Sequence, residues 1–175
     1  MTAPDRLGPE WAHADDGTRT RSASRVVLVD GAGRVLLLRG TDPDAPGRQW
    51  WFTVGGGRAP GEDPAVAAVR ELREETGILA DPADLQGPVW ARVAHFDFLG
   101  WPCRLTEEFF VLRVEGDVAL SRDGWTDLER ESVSQVRWWA PAELAASGQT
   151  YYPAELPRLL AELPPTWSGP PRPVG

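Results

Sequence analysis

The chain contains no lysine; all 18 basic residues are arginine. A lysine nucleophile or Schiff-base mechanism is thereby excluded, because arginine is not deprotonated in proteins. Cysteine is almost as scarce. Cys103 stands alone, so no disulfide can form within the chain. Its flank offers no His or Cys partner, and it reads as a small buried or half-buried hydrophobe, not a nucleophile. Histidine occurs twice. His95 falls on a predicted strand and reads as a packed or hydrogen-bonded core residue ahead of a general base. No apolar run approaches the roughly 18–20 residues of a membrane span. The segment Met1 to Arg6 also lacks the apolar stretch of a secretory signal, so the expectation is cytoplasmic residence. Positive charge is in deficit as well. The net charge of −8 argues against nonspecific binding to a nucleic-acid backbone, which needs a basic surface. It leaves a nucleotide substrate open, since a bound divalent cation inverts the local sign.

What is present fits one domain. At 175 residues and 42% hydrophobic composition, a single core is the natural expectation. Residues 1–21 are polar and rich in Pro, Gly and Ala, and read as a flexible N-terminal arm anchored by Trp11. Residues 22–163 form the domain, and 164–175 a proline-rich irregular tail. Within the domain, Ser24–Val29 and Arg34–Arg39 read as a hairpin across Asp30-Gly31-Ala32-Gly33. A Pro/Gly loop over 42–48 leads to a short strand, 49–54. Two further strands, 89–98 and 104–114, flank Gly100-Trp101-Pro102, and another spans 136–139. Helices are expected over 141–146 and 154–163. Strands on both sides of a central helix, with helices at the end, imply an α/β sandwich around a mixed sheet.

The chemistry concentrates in Gly55-Gly56-Gly57 and the helix after it. Asp63 is a good N-cap, Pro64 suits the first helical position, and Gly77 supplies a left-handed stop. Between them Ala65, Ala68, Val69, Leu72 and Thr76 share one face, while Glu71, Glu74 and Glu75 share a neighbouring one. Like charges at that spacing cost about 0.2–0.5 kcal/mol per pair. An ordinary solvated helix face would tolerate this, but it would not account for three consecutive glycines, which are costly in backbone entropy unless the chain needs unusual dihedrals or close approach to a ligand. A hard divalent cation taking carboxylate, water and phosphate oxygens accounts for both features.

From Gly56 to Ile78 these residues resemble the Nudix box of the MutT-like Nudix hydrolases, G-x5-E-x7-R-E-U-x-E-E-x-G-U with U a bulky aliphatic. Gly56, Glu62, Arg70, Glu71, Leu72, Glu74, Glu75, Gly77 and Ile78 fill its positions. Thr53-Val54 stands where many members have Leu-Pro. The resemblance implies an α/β/α sandwich and a pyrophosphohydrolase in which water attacks phosphorus, with Mg²⁺, or Mn²⁺ in its place, as cofactor. The substrate implied is a nucleoside diphosphate linked to another moiety, with a nucleoside triphosphate or modified nucleotide as the default.

Carried onto this chain, the metal ligands are the Gly55 carbonyl and the carboxylates of Glu71, Glu74 and Glu75. Glu71 either adds a ligand or takes the proton of the attacking water. Arg70 orients the carboxylates, and Glu62 braces the loop. A carboxylate from outside the box often completes such sites. Strand alternation lets only one of Glu107 and Glu108 face the metals, and the choice falls on Glu107 because the segment resembles the E-x-F-F stretch that follows the box in some relatives. Catalytic roles thus fall to Glu71, Arg70 and Glu74, and substrate contacts to Trp51 and Arg58, although simple packing weighs more heavily for Trp51. Dimerisation is common in the family, so a homodimer enters as an expected partner. The competing class is a non-catalytic Nudix module that binds a nucleotide as a sensor. Such modules often have eroded boxes, whereas this one is complete.

Overall fold

The computed structural model describes residues 7–116 and 118–175. Nine strands form one mixed sheet: β1 (Ala12–His13), β2 (Arg19–Asp30), β3 (Val35–Asp42), β4 (Ala45–Gly57), β5 (Gln86–Phe98), β6 (Trp101–Val114), β7 (Val133–Trp139), β8 (Tyr151–Tyr152) and β9 (Arg172–Pro173). The main path runs β7-β3-β4-β2-β6-β5-β9, with β1 on β2 and β8 on β4. Parallel pairing joins β2 to β6, β4 to β8 and β5 to β9; the other pairs are antiparallel. Among the described residues four α-helices lie against it: α1 (Pro64–Thr76), α2 (Asp127–Ser132), α3 (Pro141–Ala146) and α4 (Leu156–Ala161).

Strand alternation divides the core into two layers. Val26, Leu28, Val54, Phe110 and Leu112 turn toward Ala68 and Leu72 of α1. Val27, Val29, Trp51, Phe109 and Val111 turn the other way, toward Leu144, Leu156 and Leu159 of α3 and α4. Helices therefore lie on both sides of the sheet, as expected of an α/β/α sandwich. Full burial of a side chain such as Leu72 contributes about 1.5–3 kcal/mol, and this fixes which face of α1 meets the sheet. The helix begins and ends where its sequence dictates. Asp63 accepts from the Ala65 and Val66 amides, and Gly77 closes the last turn in the left-handed region.

Several expectations need revision. β2 already begins at Arg19, and β1 pairs with it, so 12–13 and 19–21 are sheet, not free arm. Trp11 is buried with Leu7 against Leu99 and Cys103, which anchors this stretch and buries the lone thiol. The rest of the expected arm, residues 1–6, lies outside the described residues. β4 starts at Ala45, inside the expected loop. The tail contributes β9, which extends the sheet beyond β5. His95 is exposed, not packed; its neighbour Ala94 takes the inward position on β5. Among the described residues no helix is long and apolar enough to cross a membrane.

Candidate metal centre

The site is built around Gly55, where β4 passes from core strand to glycine loop. Its φ of +126° lies in the region open to glycine, and a Cβ there would collide with the Ser24 carbonyl oxygen of the adjacent strand. Close backbone approach is thus the reason for this glycine. A Cβ on Gly56 would come within 2.5 Å of a Glu71 carboxylate oxygen, so the second glycine leaves room for the acid.

On the helix side of Gly55, α1 brings Glu71 and Glu75 into the interior. Glu75 Oε2 accepts the Gly55 amide at 2.6 Å. A third acid, Glu129 of α2, joins them: one ligand oxygen from each of Glu71, Glu75 and Glu129 lies within 4.8 Å of the others. Two unit charges about 4 Å apart repel by about 4 kcal/mol at an effective dielectric near 20, roughly ten times a solvated helix pair. Burial, then repulsion from Glu71, pushes the Glu75 carboxyl well above its ordinary range. Burial likewise raises Glu71, against the opposing hydrogen bond from Arg70. Three oxygen donors with a shared excess of negative charge fit a hard divalent cation.

Arg70 bonds to both the loop and the helix acids. It donates to Glu62 Oε1 at 2.8 Å, to Glu71 Oε1 at 2.6 Å, to Glu74 Oε2 at 3.2 Å and to the Gly57 carbonyl at 2.9 Å. The hydrogen bond to Glu62 is the largest reason its own pKa is raised. Glu62 in turn accepts the Ala59 amide at 2.9 Å and so braces the loop. Glu74 is the most exposed of the helix acids, with 37% of its side-chain surface open. It lies at the rim beside Arg70, outside the Glu71–Glu75–Glu129 group.

Glu129 is the residue that sequence reasoning missed. Trp125 buries its ring against the α1 layer and donates Nε1 to the Glu75 carbonyl at 2.8 Å. Thr126 then starts α2 in a capping box closed by Glu129. That T-x-x-E pattern is visible in the sequence as a helix start. Nothing local, however, says that the helix lands beside α1.

Glu107 and Glu108 alternate as predicted. Glu107 is 3% exposed and both of its oxygens are held by arginine: Arg25 Nε donates to Oε1 at 2.7 Å and Arg92 Nη1 to Oε2 at 2.8 Å. Arg25 Nη1 also donates to the Gly55 carbonyl. The two remaining expected metal ligands are therefore bound to a guanidinium. Glu108 pairs with Arg58, one of the expected substrate contacts. Trp51, the other, is 3% exposed and meets Trp139 edge-on at 5.1 Å. It also lines a cavity of about 520 Å³ with Arg39, Gln135, Arg137 and Gln149.

A family model, the NUDIX domain, matches residues 19–161. Among curated proteins, an RNA pyrophosphohydrolase of Dinoroseobacter shibae is 39% identical over 74 residues, 41% of this chain and 44% of that protein. An RNA pyrophosphohydrolase of Brucella ovis is 35% identical over 92 residues, 49% of this chain and 51% of that protein. The chain thus spans about half the length of the curated relatives it matches. Among solved structures, a Nudix hydrolase from M. smegmatis, RenU, aligns with a TM-score of 0.58 at 22% identity, over 92% of this chain and all of that one. A MutT protein from Methanosarcina mazei aligns at 0.55 and 21%, over 82% and 91%. These structural likenesses concern the fold. With the box complete, the sandwich formed and the family model covering most of its length, the chain belongs to the Nudix family.

Proposed function

We propose that the chain is a Mg²⁺-dependent pyrophosphohydrolase acting on a nucleoside diphosphate linked to a further moiety, the default being a nucleoside triphosphate or modified nucleotide. The observation that carries this is the convergence of Glu71, Glu75 and Glu129 within 4.8 Å, in a chain whose Nudix box is intact. Glu75 and Glu129 hold the ion, with Glu74 contributing from the rim. When bound, Mg²⁺ neutralises charge on the phosphoryl oxygens and lowers the pKa of its water. Glu71 takes the proton of the attacking water. Its burial favours the protonated form, and Arg70 fixes its orientation through a charge-assisted hydrogen bond. Attack at phosphorus breaks one P–O bond of the pyrophosphate and releases two phosphate-bearing products. Trp51, at the wall of the cavity on the α3 side of the sheet, and Arg58, beside the glycine loop, are the residues assigned to substrate contact.

The curated relatives are named for RNA, so an RNA with a terminal pyrophosphate belongs among the substrates tested. The net charge of −8 ranks a small nucleotide ahead of it. The test is phosphate release from a panel of nucleotides, nucleoside diphosphate conjugates and such an RNA, with and without Mg²⁺ and with and without added inorganic pyrophosphatase. Metal-dependent turnover of at least one small nucleotide is expected. Binding without turnover across the panel would favour the sensor module.

A further inference from the structure

Arg25 lies where the sequence pattern put metal ligands. The register of β2 sets Arg25 opposite Gly55 on β4, and Ala23 opposite Glu107 on β6. One guanidinium on β2 can therefore reach both a carbonyl on one neighbouring strand and a carboxylate on the other. It does so, through Nη1 to the Gly55 carbonyl and Nε to Glu107 Oε1. The second Glu107 oxygen is taken by Arg92, its direct cross-strand partner on β5. The Arg25 guanidinium also lies 5.5 Å from the Phe52 ring centroid, and the residue is only 8% exposed. A guanidinium stays charged at any pH a protein survives and offers a fixed planar fork of donors. A divalent ion entering between Gly55 and Glu107 would have to displace both contacts and leave a buried cation beside itself.

We propose that Arg25 is a built-in cation. It fills the position between the Gly55 carbonyl and Glu107 that a divalent ion would otherwise take, so that ions gather only on the helix side of Gly55, on Glu75 and Glu129 beside Glu71. This rests on reading that side as the metal site, with Glu71 as its proton acceptor.

The test counts bound Mn²⁺ per chain from the free-ion electron paramagnetic resonance signal. It compares the unmodified protein, Glu107→Gln, Arg25→Met and the double variant. Glu107→Gln is expected to bind as many ions as the unmodified chain, with affinity within about threefold. Arg25→Met is expected to bind one more ion, and the double variant to lose it again. Loss of one ion in Glu107→Gln would overturn the inference while leaving the helix-side metal reading standing. A folded Arg25→Met that gains no ion would also overturn it. Should Arg25→Met fail to fold, Glu107→Gln decides alone. No Mn²⁺ binding by the unmodified chain would overturn the metal reading and this inference together.

Discussion

The two sides of Gly55 hold buried acids in opposite electrostatic situations. On the helix side, Glu75 is 4% exposed with Glu71 and Glu129 as its carboxylate neighbours. On the sheet side, Glu107 is 3% exposed with Arg25 and Arg92 on its two oxygens. Burial is equal, so burial does not distinguish them. The difference lies in the countercharge that each neighbourhood supplies. Glu107 is already neutralised by the protein, whereas among the described residues Glu75 accepts the Gly55 amide and no guanidinium, and is left in need of a cation. A buried carboxylate in this fold is thus not in itself a metal ligand.

The largest effect should separate the two sides outright. Glu75→Gln is expected to lower Mg²⁺-dependent turnover by more than about a hundredfold, at least about 2.7 kcal/mol in barrier. It should also raise the melting temperature of the metal-free protein, because a repulsion is removed. Steady-state rates and thermal melts in chelator would check both. If Glu75→Gln kept turnover while Glu107→Gln lost it, the two sides would have to be exchanged.

The next prediction divides the helix side internally. Glu71→Gln should lose turnover by a similar factor, yet hold Mn²⁺ within about threefold of the unmodified affinity, because its assigned role is to take a proton. Glu129→Gln should show the reverse emphasis. Its Mg²⁺ affinity should fall about tenfold, about 1.4 kcal/mol, with a smaller loss of turnover at saturating metal. Isothermal titration beside kinetics would tell whether the roles are assigned correctly.

A smaller effect concerns pH. The folded-state pKa of Glu75 and Glu71 is raised above the ordinary 4.5, chiefly by burial. For a raised carboxyl, the folded state binds more protons than the unfolded chain. Its stabilising contribution is present below the unfolded value and is lost as pH rises through the folded one. The melting temperature of the metal-free protein should therefore fall from pH 4.5 upward more steeply than that of Glu75→Gln. Saturating Mg²⁺ should remove most of the difference. Parallel melting curves for the two proteins in chelator would contradict the origin assigned to the shift.

Much of the helix side was legible in the sequence, and the reason is locality. Asp63, Pro64 and Gly77 bound α1 through contacts within four residues, and Arg70 meets Glu71 and Glu74 within about one turn and Glu62 eight residues back in the loop. Strand alternation likewise separated Glu107 from Glu108. What escaped depends on distant pairing. Glu129 reaches the site because Trp125 is bonded to a carbonyl 50 residues earlier. Arg25 meets Glu107 across 82 residues, through a parallel register that no local pattern encodes. His95 failed for a simpler reason. Its strand has one face toward solvent, and alternation puts Ala94 inward instead.

The most direct test of the account is the effect of Mg²⁺ on thermal stability in three proteins: unmodified, Glu75→Gln and Glu107→Gln, each melted near neutral pH with and without saturating ion. A ligand that binds only the native state must raise the melting temperature. The account predicts a Mg²⁺-dependent rise of similar size in the unmodified protein and Glu107→Gln, and little or none in Glu75→Gln. A rise that survived in Glu75→Gln and vanished in Glu107→Gln would contradict it.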